Sequence, residues 1–506
     1  MKKSTRPIYF KHFSWLTVVL FVFGSCFTSQ AQTPLFYGLT YYGGTTNYGA
    51  IISFDPVTKT ETLEWSFGGV NDGQKPDGEL VYDSVNSLYY GTSLLGGAFF
   101  NGCIYSYNPI SNQESVVFSF ASTLDAALPE KDLVYDAKNR LYYGLSQNGG
   151  TNGIGAVYDF NPTNNFEHEI WNFGGVGDGS YPEGNFVFNT TDSLFYGTTN
   201  EGGSNGKGTI VSFNPVNNTE AVLWNFGGVG DGSAPKGSLV YNNTNGLYYG
   251  TTFNNGTTSS DGTIITFDPV SKAEAVVWTF QGSPNDGAQP YGNLVFDAKN
   301  GLYYGLTSAG GATDSGTIFS FDPTTKVETL IWSFGTGTDG GYPLADLVWS
   351  SYDSLYYGTC DLGGTYGKGT IFTFNPVTNA EKVVWSFGNG SDGYMPHGNL
   401  VIYNQLTTSV TKINTLASSI KAYPNPCSGV FQLQLQHSSD VTPSPGLVEV
   451  YNVLGERVYS MNNGQLSIIN YPLSIDLSSQ PNGIYLYKVV SETGKMIGEG
   501  KVVVQK

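Results

Sequence analysis

SLFYGTTNEGGSNGKGTIVSFNP occupies Ser193–Pro215, and its near-copy SLYYGTCDLGGTYGKGTIFTFNP occupies Ser354–Pro376. This stretch decides the fold, because the chain contains it seven times. The glycine of its L-[FY]-Y-G core recurs at Gly38, Gly91, Gly144, Gly197, Gly250, Gly305 and Gly358. Successive copies lie 53 residues apart, apart from one step of 55 before Gly305. A fixed period of this length marks a solenoid or a propeller.

Each period holds four strand-like runs. Around Gly197 they are Asn185–Asn189 (NFVFN), Leu194–Thr199 (LFYGTT), Thr209–Phe213 (TIVSF) and Glu220–Phe226 (EAVLWNF). All are rich in β-branched and aromatic residues and free of internal proline. Turn-forming stretches separate them. Both faces of the runs are apolar, which suits a sheet stacked between two others. Four-stranded sheets packed face to face around an axis are propeller blades. The first period starts at Leu35 without an LVYD-type run, and one such run, Leu400–Asn404, is left over at the end. It can complete the first blade. The sequence therefore predicts a closed seven-bladed β-propeller over residues 32–404. A solenoid would need polar caps, and none is visible.

The LVYD run is assigned to the innermost strand and the Trp run to the outermost. Trp65, Trp171, Trp224, Trp278, Trp332 and Trp385 recur there, with Phe118 in the deviant copy. They read as packing between blades, with a sugar platform as the other reading.

Composition agrees with many short strands and tight turns: 66 glycines, 15% aromatic residues and only 13% charged ones. The net charge of −18 argues against a nucleic-acid partner, whose phosphates need a basic surface. Residues 1–31 read as a secretory signal. Lys2, Lys3, Arg6 and Lys11 precede the apolar Trp15–Phe23, and a small-residue site ends at Ala31. Its removal takes four positive charges and leaves −22. Lipidation at Cys26 is the second reading. The remaining cysteines, Cys103, Cys360 and Cys427, are too far apart in sequence for a chelating motif and read as small buried hydrophobes.

The motif LYGTT-x-x-GG…GT-[IV]-[FV]-x-[FL]-[DN]-P, followed by W-x-F and DG-x-x-P-x-G-x-L, resembles the Gloeo-Verruco (GloVer) tandem repeat, in all seven copies. That resemblance implies a secreted bacterial protein and assigns no activity. After Asn404 the repeat stops, and residues 405–420 read as a linker. KAYPNPCSGVFQLQL (Lys421–Leu435), VEVYNVLGERVYS (Val448–Ser460) and IDLSSQPNGIYLYKVV (Ile475–Val490) alternate as strands and turns. They predict a small immunoglobulin-like β-sandwich over 421–506. These blocks are similar to the C-terminal sorting domain of type IX secretion cargo. The similarity implies Sec export in a Gram-negative bacterium of the Bacteroidota type, then the outer-membrane translocon as partner, and surface attachment or release.

The candidate site follows from the repeat frame. An aspartate recurs in each Asp-Gly loop, at Asp72, Asp125, Asp178, Asp231, Asp286, Asp339 and Asp392. One carboxylate per blade is far from the oxygen count of a calcium site, so turn formation is the preferred role. The residue after the repeated proline keeps its frame and changes its identity: Asp77, Glu130, Glu183, Lys236, Tyr291, Leu344 and His397. At the entry to the innermost strand these should rim the central channel, with Asp77, Glu130 and Glu183 as an acidic arc. Asp77, Glu130, Glu183, Lys236, Tyr291 and His397 are the ligand-binding candidates, for a glycan or protein. No catalytic residue, metal or cofactor is expected, and the chain is expected to be a monomer. The repeat region has a single arginine, Arg140, so a sialidase-like cluster is excluded. A two-carboxylate glycosidase using Glu130 and Glu183 stays open, as does a structural surface or adhesion component without a pocket.

Overall fold

The computed structural model describes residues 34–121, 126–255, 261–335, 338–390, 392–403, 420–435, 445–452, 457–462, 473–491 and 496–506. The expected signal peptide, Asp125 and all of the expected linker except Ile420 lie outside them. The chain divides into two compact units, 1–405 and 406–506. Among the described residues every regular element is a strand.

The first unit is all-β and propeller-like. Val187–Asn189, Leu194–Thr199, Thr209–Asn214 and Thr219–Asn225 form one antiparallel meander. Six more sheets repeat that order among the described residues. The innermost strand is shorter than the sequence predicts, because Asn185 and Phe186 fall outside it. In every sheet the register slips once between the third and fourth strands, as between Ile210↔Trp224 and Val211↔Val222. This bulge bends the outer strand. A further element was not legible in advance. The Asp-Gly loop of one sheet pairs with the double-glycine loop of the next, as in Gly179↔Gly202 and Gly340↔Gly363.

The Tyr-Tyr of each L-[FY]-Y-G core explains why the sheets stack on both faces. Adjacent strand residues point to opposite faces. Tyr249 therefore meets Tyr303 of the next sheet at 4.5 Å, while Tyr248 meets Tyr196 of the previous one at 4.7 Å. The same pairing joins Tyr143 to Phe195, Tyr304 to Tyr356 and Tyr37 to Tyr89. It also joins the seventh sheet to the first, through Tyr357 and Phe36 at 4.3 Å. Each aromatic pair contributes about 0.5–1.5 kcal/mol beyond its buried area. The core glycine makes room for the ring beneath it: a Cβ on Gly144 would lie 2.2 Å from the Tyr158 ring. The leftover run behaves likewise. Val401–Tyr403 pairs with Leu35–Thr40, placing Tyr403 opposite Leu35 and Val401 opposite Tyr37. The outer-strand tryptophans are half-buried against these interfaces.

The second unit has a three-stranded and a four-stranded antiparallel sheet. Its core holds Phe431, Leu433, Val448, Val450, Ile475 and Val489. Tyr485 Oη donates to the Pro481 carbonyl at 2.8 Å.

Candidate functional site

The chain reaches the axis of the first unit through the P-x-[GKA]-x-[LF] segment that follows each Asp-Gly loop. The residue three after the proline builds a ring. The backbone N–H of Glu79 donates to Asp132 at 2.5 Å, Asp132 to Asn185 at 2.9 Å, and Asn185 to Ser238 at 2.8 Å. Ser238 donates to Asn293, Asn293 to Asp346 and Asp346 to Asn399. Asn399 Nδ2 returns to Glu79 at 3.1 Å. Burial and the neighbouring Asp132 push the Glu79 carboxyl well above its usual range. Burial likewise pushes Asp132 up to about 6.

This ring separates two spaces, since its members line both. On one side lies a channel of about 340 Å³ walled partly by Leu133, Val134, Phe186, Val187 and Leu239. On the other lies a polar vestibule of about 70 Å³, room for roughly five water molecules. Asp77, Glu130, Glu183, Lys236, Tyr291, Leu344 and His397 all line that vestibule. The structure thus brings every candidate residue to one place.

The vestibule is internally charge-paired. His397 Nδ1 lies 2.9 Å from Asp77 and its Nε2 2.7 Å from Asp361, whose side chain is 1% exposed. Its ring stacks on Tyr41 at 4.6 Å. Burial favours a neutral imidazole, but Asp361 and Asp77 outweigh it and raise His397 to about 10. Burial would raise Asp77 in turn, yet the His397 imidazolium holds it below its usual value. Lys236 Nζ lies 2.6 Å from Glu183 and 5.0 Å from the Tyr291 ring centroid. Lys131 reaches the same ring from another sheet, 5.5 Å from the centroid. Burial opposes its charge, but Tyr291 and the acids Asp77, Glu183 and Glu130 raise its pKa overall. Glu130 is the outlier. Burial pushes it up to about 7, with Asp77 and Glu183 adding to the shift and Lys131 and Lys236 opposing it.

The acidic arc is therefore not a bare set of like charges. Three cations, Lys131, Lys236 and His397, lie among its members and offset the repulsion between its carboxylates. Two of the residues responsible were missed. Lys131 stands where five copies have glycine and one has Ala345. Those glycines are tightly confined: a Cβ on Gly398 would meet the Gly78 carbonyl at 2.1 Å. Asp361 occupies a second varying position, directly after the L-[FY]-Y-G-x-x run, where Tyr41, Leu94, Gln147, Asn200, Phe253 and Ser308 stand in the other copies. Comparing the copies at these two positions would have found both. Beside the vestibule, Tyr41 continues into Tyr42, which stacks on Tyr394 at 5.5 Å.

The loop aspartates close turns. Asp178 accepts from the N–H groups of Gly174, Gly175 and Gly179, and Asp72 from Gly68, Gly69 and Gly73. Cys103, Cys360 and Cys427 are free thiols and buried.

The Gloeobacter/Verrucomicrobia repeat matches residues 25–191 and 185–418, and the secretion system C-terminal sorting domain matches 421–505. No curated protein matches by sequence. Solved structures that align include PorZ, a surface component of the type-IX secretion system of Porphyromonas gingivalis, at 13% identity and a TM-score of 0.43. The alignment covers 90% of this chain and 63% of that one. A putative 6-phosphogluconolactonase from Bacteroides uniformis aligns at 13% identity and a TM-score of 0.49, over 74% of this chain and all of that one. Oligogalacturonate lyase from Vibrio parahaemolyticus aligns at 10% identity and a TM-score of 0.41, over 67% and 90%.

Proposed function

The chain belongs to the Gloeobacter/Verrucomicrobia repeat family and ends in a secretion-system sorting domain, which marks it for the cell surface or for release; from this premise we propose that it is a seven-bladed propeller that recognises a glycan at its axial vestibule. The sorting domain is read as an immunoglobulin-like sandwich that engages the type IX translocon after Sec export. Seven sheets in one strand order, with contacts running from the seventh back to the first, support the blade count.

One observation carries the recognition reading. In a set of near-identical copies, the residue after the repeated proline changes from copy to copy, and all seven of these side chains line one cavity. A ring that only closed the fold would repeat its residues, as the aromatic pairs do. Lys236, Glu183, His397 and Asp77 are already paired, so the fitting ligand is neutral and rich in hydroxyls. The vestibule admits only an edge of such a ligand. A glycan array probed with the full mature chain is the test. Binding that is lost on Tyr291→Ala and on Asp361→Asn is expected. No bound glycan, or binding indifferent to both changes, sets the reading aside.

A second reading has its own support. Glu130 is raised to about 7, while Glu183 lies 2.6 Å from the Lys236 ammonium. Two carboxyls with divergent environments are the raw material of acid–base glycoside chemistry. Polysaccharide hydrolysis that is abolished by both Glu130→Gln and Glu183→Gln would favour an enzyme over a lectin-like protein.

A further inference from the structure

The second residue of every outer strand is a glutamate, as in Thr219-Glu220 and Ala273-Glu274. Glu61, Glu114, Glu220, Glu274, Glu328 and Glu381 each face the loop aspartate of the preceding sheet across an interface. Glu114 is hydrogen-bonded to Asp72, Glu220 to Asp178, Glu274 to Asp231 and Glu328 to Asp286. Glu61 and Glu381 feel the charges of Asp392 and Asp339, without a hydrogen bond to them.

Two carboxyls in contact leave one question, which of them is ionised. The aspartate oxygens are taken by donors: Asp178 accepts three backbone N–H groups, and Asp231 accepts the Gly232 N–H at 2.8 Å and the Trp224 indole N–H at 3.2 Å. The glutamates have no such donors. Oε1 of Glu114, Glu220, Glu274 and Glu328 is buried without a hydrogen-bond partner. An ionised carboxylate left without donors in that position would be strongly disfavoured. A neutral glutamic acid can instead donate its O–H to the aspartate. A cation in place of the proton would need the aspartate oxygens that the N–H groups already occupy.

We propose that each of these blade interfaces is latched by a single proton shared between its glutamate and the neighbouring aspartate, so that the ring of sheets is a pH-sensitive clasp which loosens as the environment turns alkaline. The other ionisable groups nearby are Cys103 and Tyr105 beside Glu114, Glu64 beside Glu61, and Cys360 beside Glu381. Among the described residues no Lys, Arg or His pairs with these carboxyls. Burial first, and then the aspartate, raises Glu220, Glu274 and Glu328 to about 8 and Glu114 to about 9. Each glutamate thus binds its proton more tightly folded than unfolded. The stability this confers is full below the ordinary glutamate range and is lost as pH rises through about 8.

The test uses the full mature chain and the triple variant Glu220→Gln, Glu274→Gln and Glu328→Gln. Glutamine is neutral at every pH and still donates an N–H to the aspartate. The wild type should lose melting temperature between about pH 5 and about pH 9, and the variant should lose roughly half as much and melt above the wild type at the alkaline end. Parallel curves for the two proteins overturn the proposal. Infrared spectra of the wild type alone keep it falsifiable should the variant not fold. A band from protonated carboxyls should persist at neutral pH and fade above about pH 9. Its absence at neutral pH overturns the proposal as well.

Discussion

At the blade interfaces the chain repeats itself; at the mouth of the axis it does not. The interface aromatics of the L-[FY]-Y-G core recur in all seven copies, and each meets its counterpart on the next sheet at similar distance. The seven vestibule positions carry six residue types. Both sets sit in the same frame on the same scaffold, so copying alone cannot explain the difference. What closes the ring must satisfy one geometry seven times. What lines the vestibule is asked only to satisfy whatever occupies it. The ring beneath it is intermediate: its side chains vary among Asp, Asn, Ser and Glu, but six of the seven accept the backbone N–H of the preceding member, and Glu79 accepts from the Asn399 side chain instead.

The comparison predicts large effects at repeated positions. Deleting Leu400–Asn404 removes the innermost strand of the first sheet, including the buried Leu400 and Tyr403. It leaves an unpaired sheet edge. Burial of the two side chains alone argues for a loss above about 5 kcal/mol, with aggregation or a multimeric species visible by light scattering. A monomer that melts like the parent would mean the strand is dispensable. Next in size is Tyr249→Ala, which empties one stacked pair. A loss of about 3–5 kcal/mol is expected by chemical denaturation, and an equal loss is expected from Tyr196→Ala at the neighbouring interface. Strongly unequal losses would break the claim that the interfaces are equivalent.

Much of the comparison was legible before any coordinates. The repeat period, the strand runs and the leftover Leu400–Asn404 followed from pattern, because turn chemistry and aromatic strands leave clear signals in one sequence. The convergence of Asp77 and His397 followed too, although they are far apart in the chain, because position in the repeat frame fixes position around the axis. The pairing among those residues was not legible. Whether Lys236 meets Glu183 or points outward depends on a side-chain rotamer, and Lys131 enters through a single departure at a position that is glycine in five copies. The interface glutamates were equally visible as letters, but nothing in their spacing says that an aspartate of the previous copy stands opposite.

Within the vestibule the effects should be smaller and should depend on pH. Asp361→Asn removes one of two carboxylates that hold the His397 imidazolium. A folded-state value near 10, above the ordinary histidine value, means the ion pairs stabilise fully below about pH 6.5 and fade as pH rises through about 10. The variant should therefore be less stable by about 2 kcal/mol at mildly acid pH, with the gap closing toward about pH 10. Thermal melts of both proteins across that range are the measurement. A gap of constant size would show that Asp361 acts through packing and not through the imidazolium.

The smallest effect is the sharpest, because it asks two carboxylates in one ring to behave oppositely. Glu183 is ion-paired at 2.6 Å, so Glu183→Gln leaves the Lys236 ammonium without its partner and should destabilise. Glu130 has burial and two like charges against it. Its folded-state value near 7 lies above the ordinary glutamate value, so the wild type loses stability as pH rises from about 4.5 to about 7 and Glu130→Gln does not. The Glu130→Gln variant should match the wild type in acid and exceed it at neutral pH, by no more than about 1 kcal/mol once solvent screening at the open mouth is allowed for. Added salt should shrink that gain, since it screens the like charges that oppose Glu130 at the partly exposed mouth. If both substitutions shift stability in the same direction at neutral pH, the vestibule is a uniform acidic rim after all. The pairing that separates Glu130 from Glu183 would then have no energetic weight.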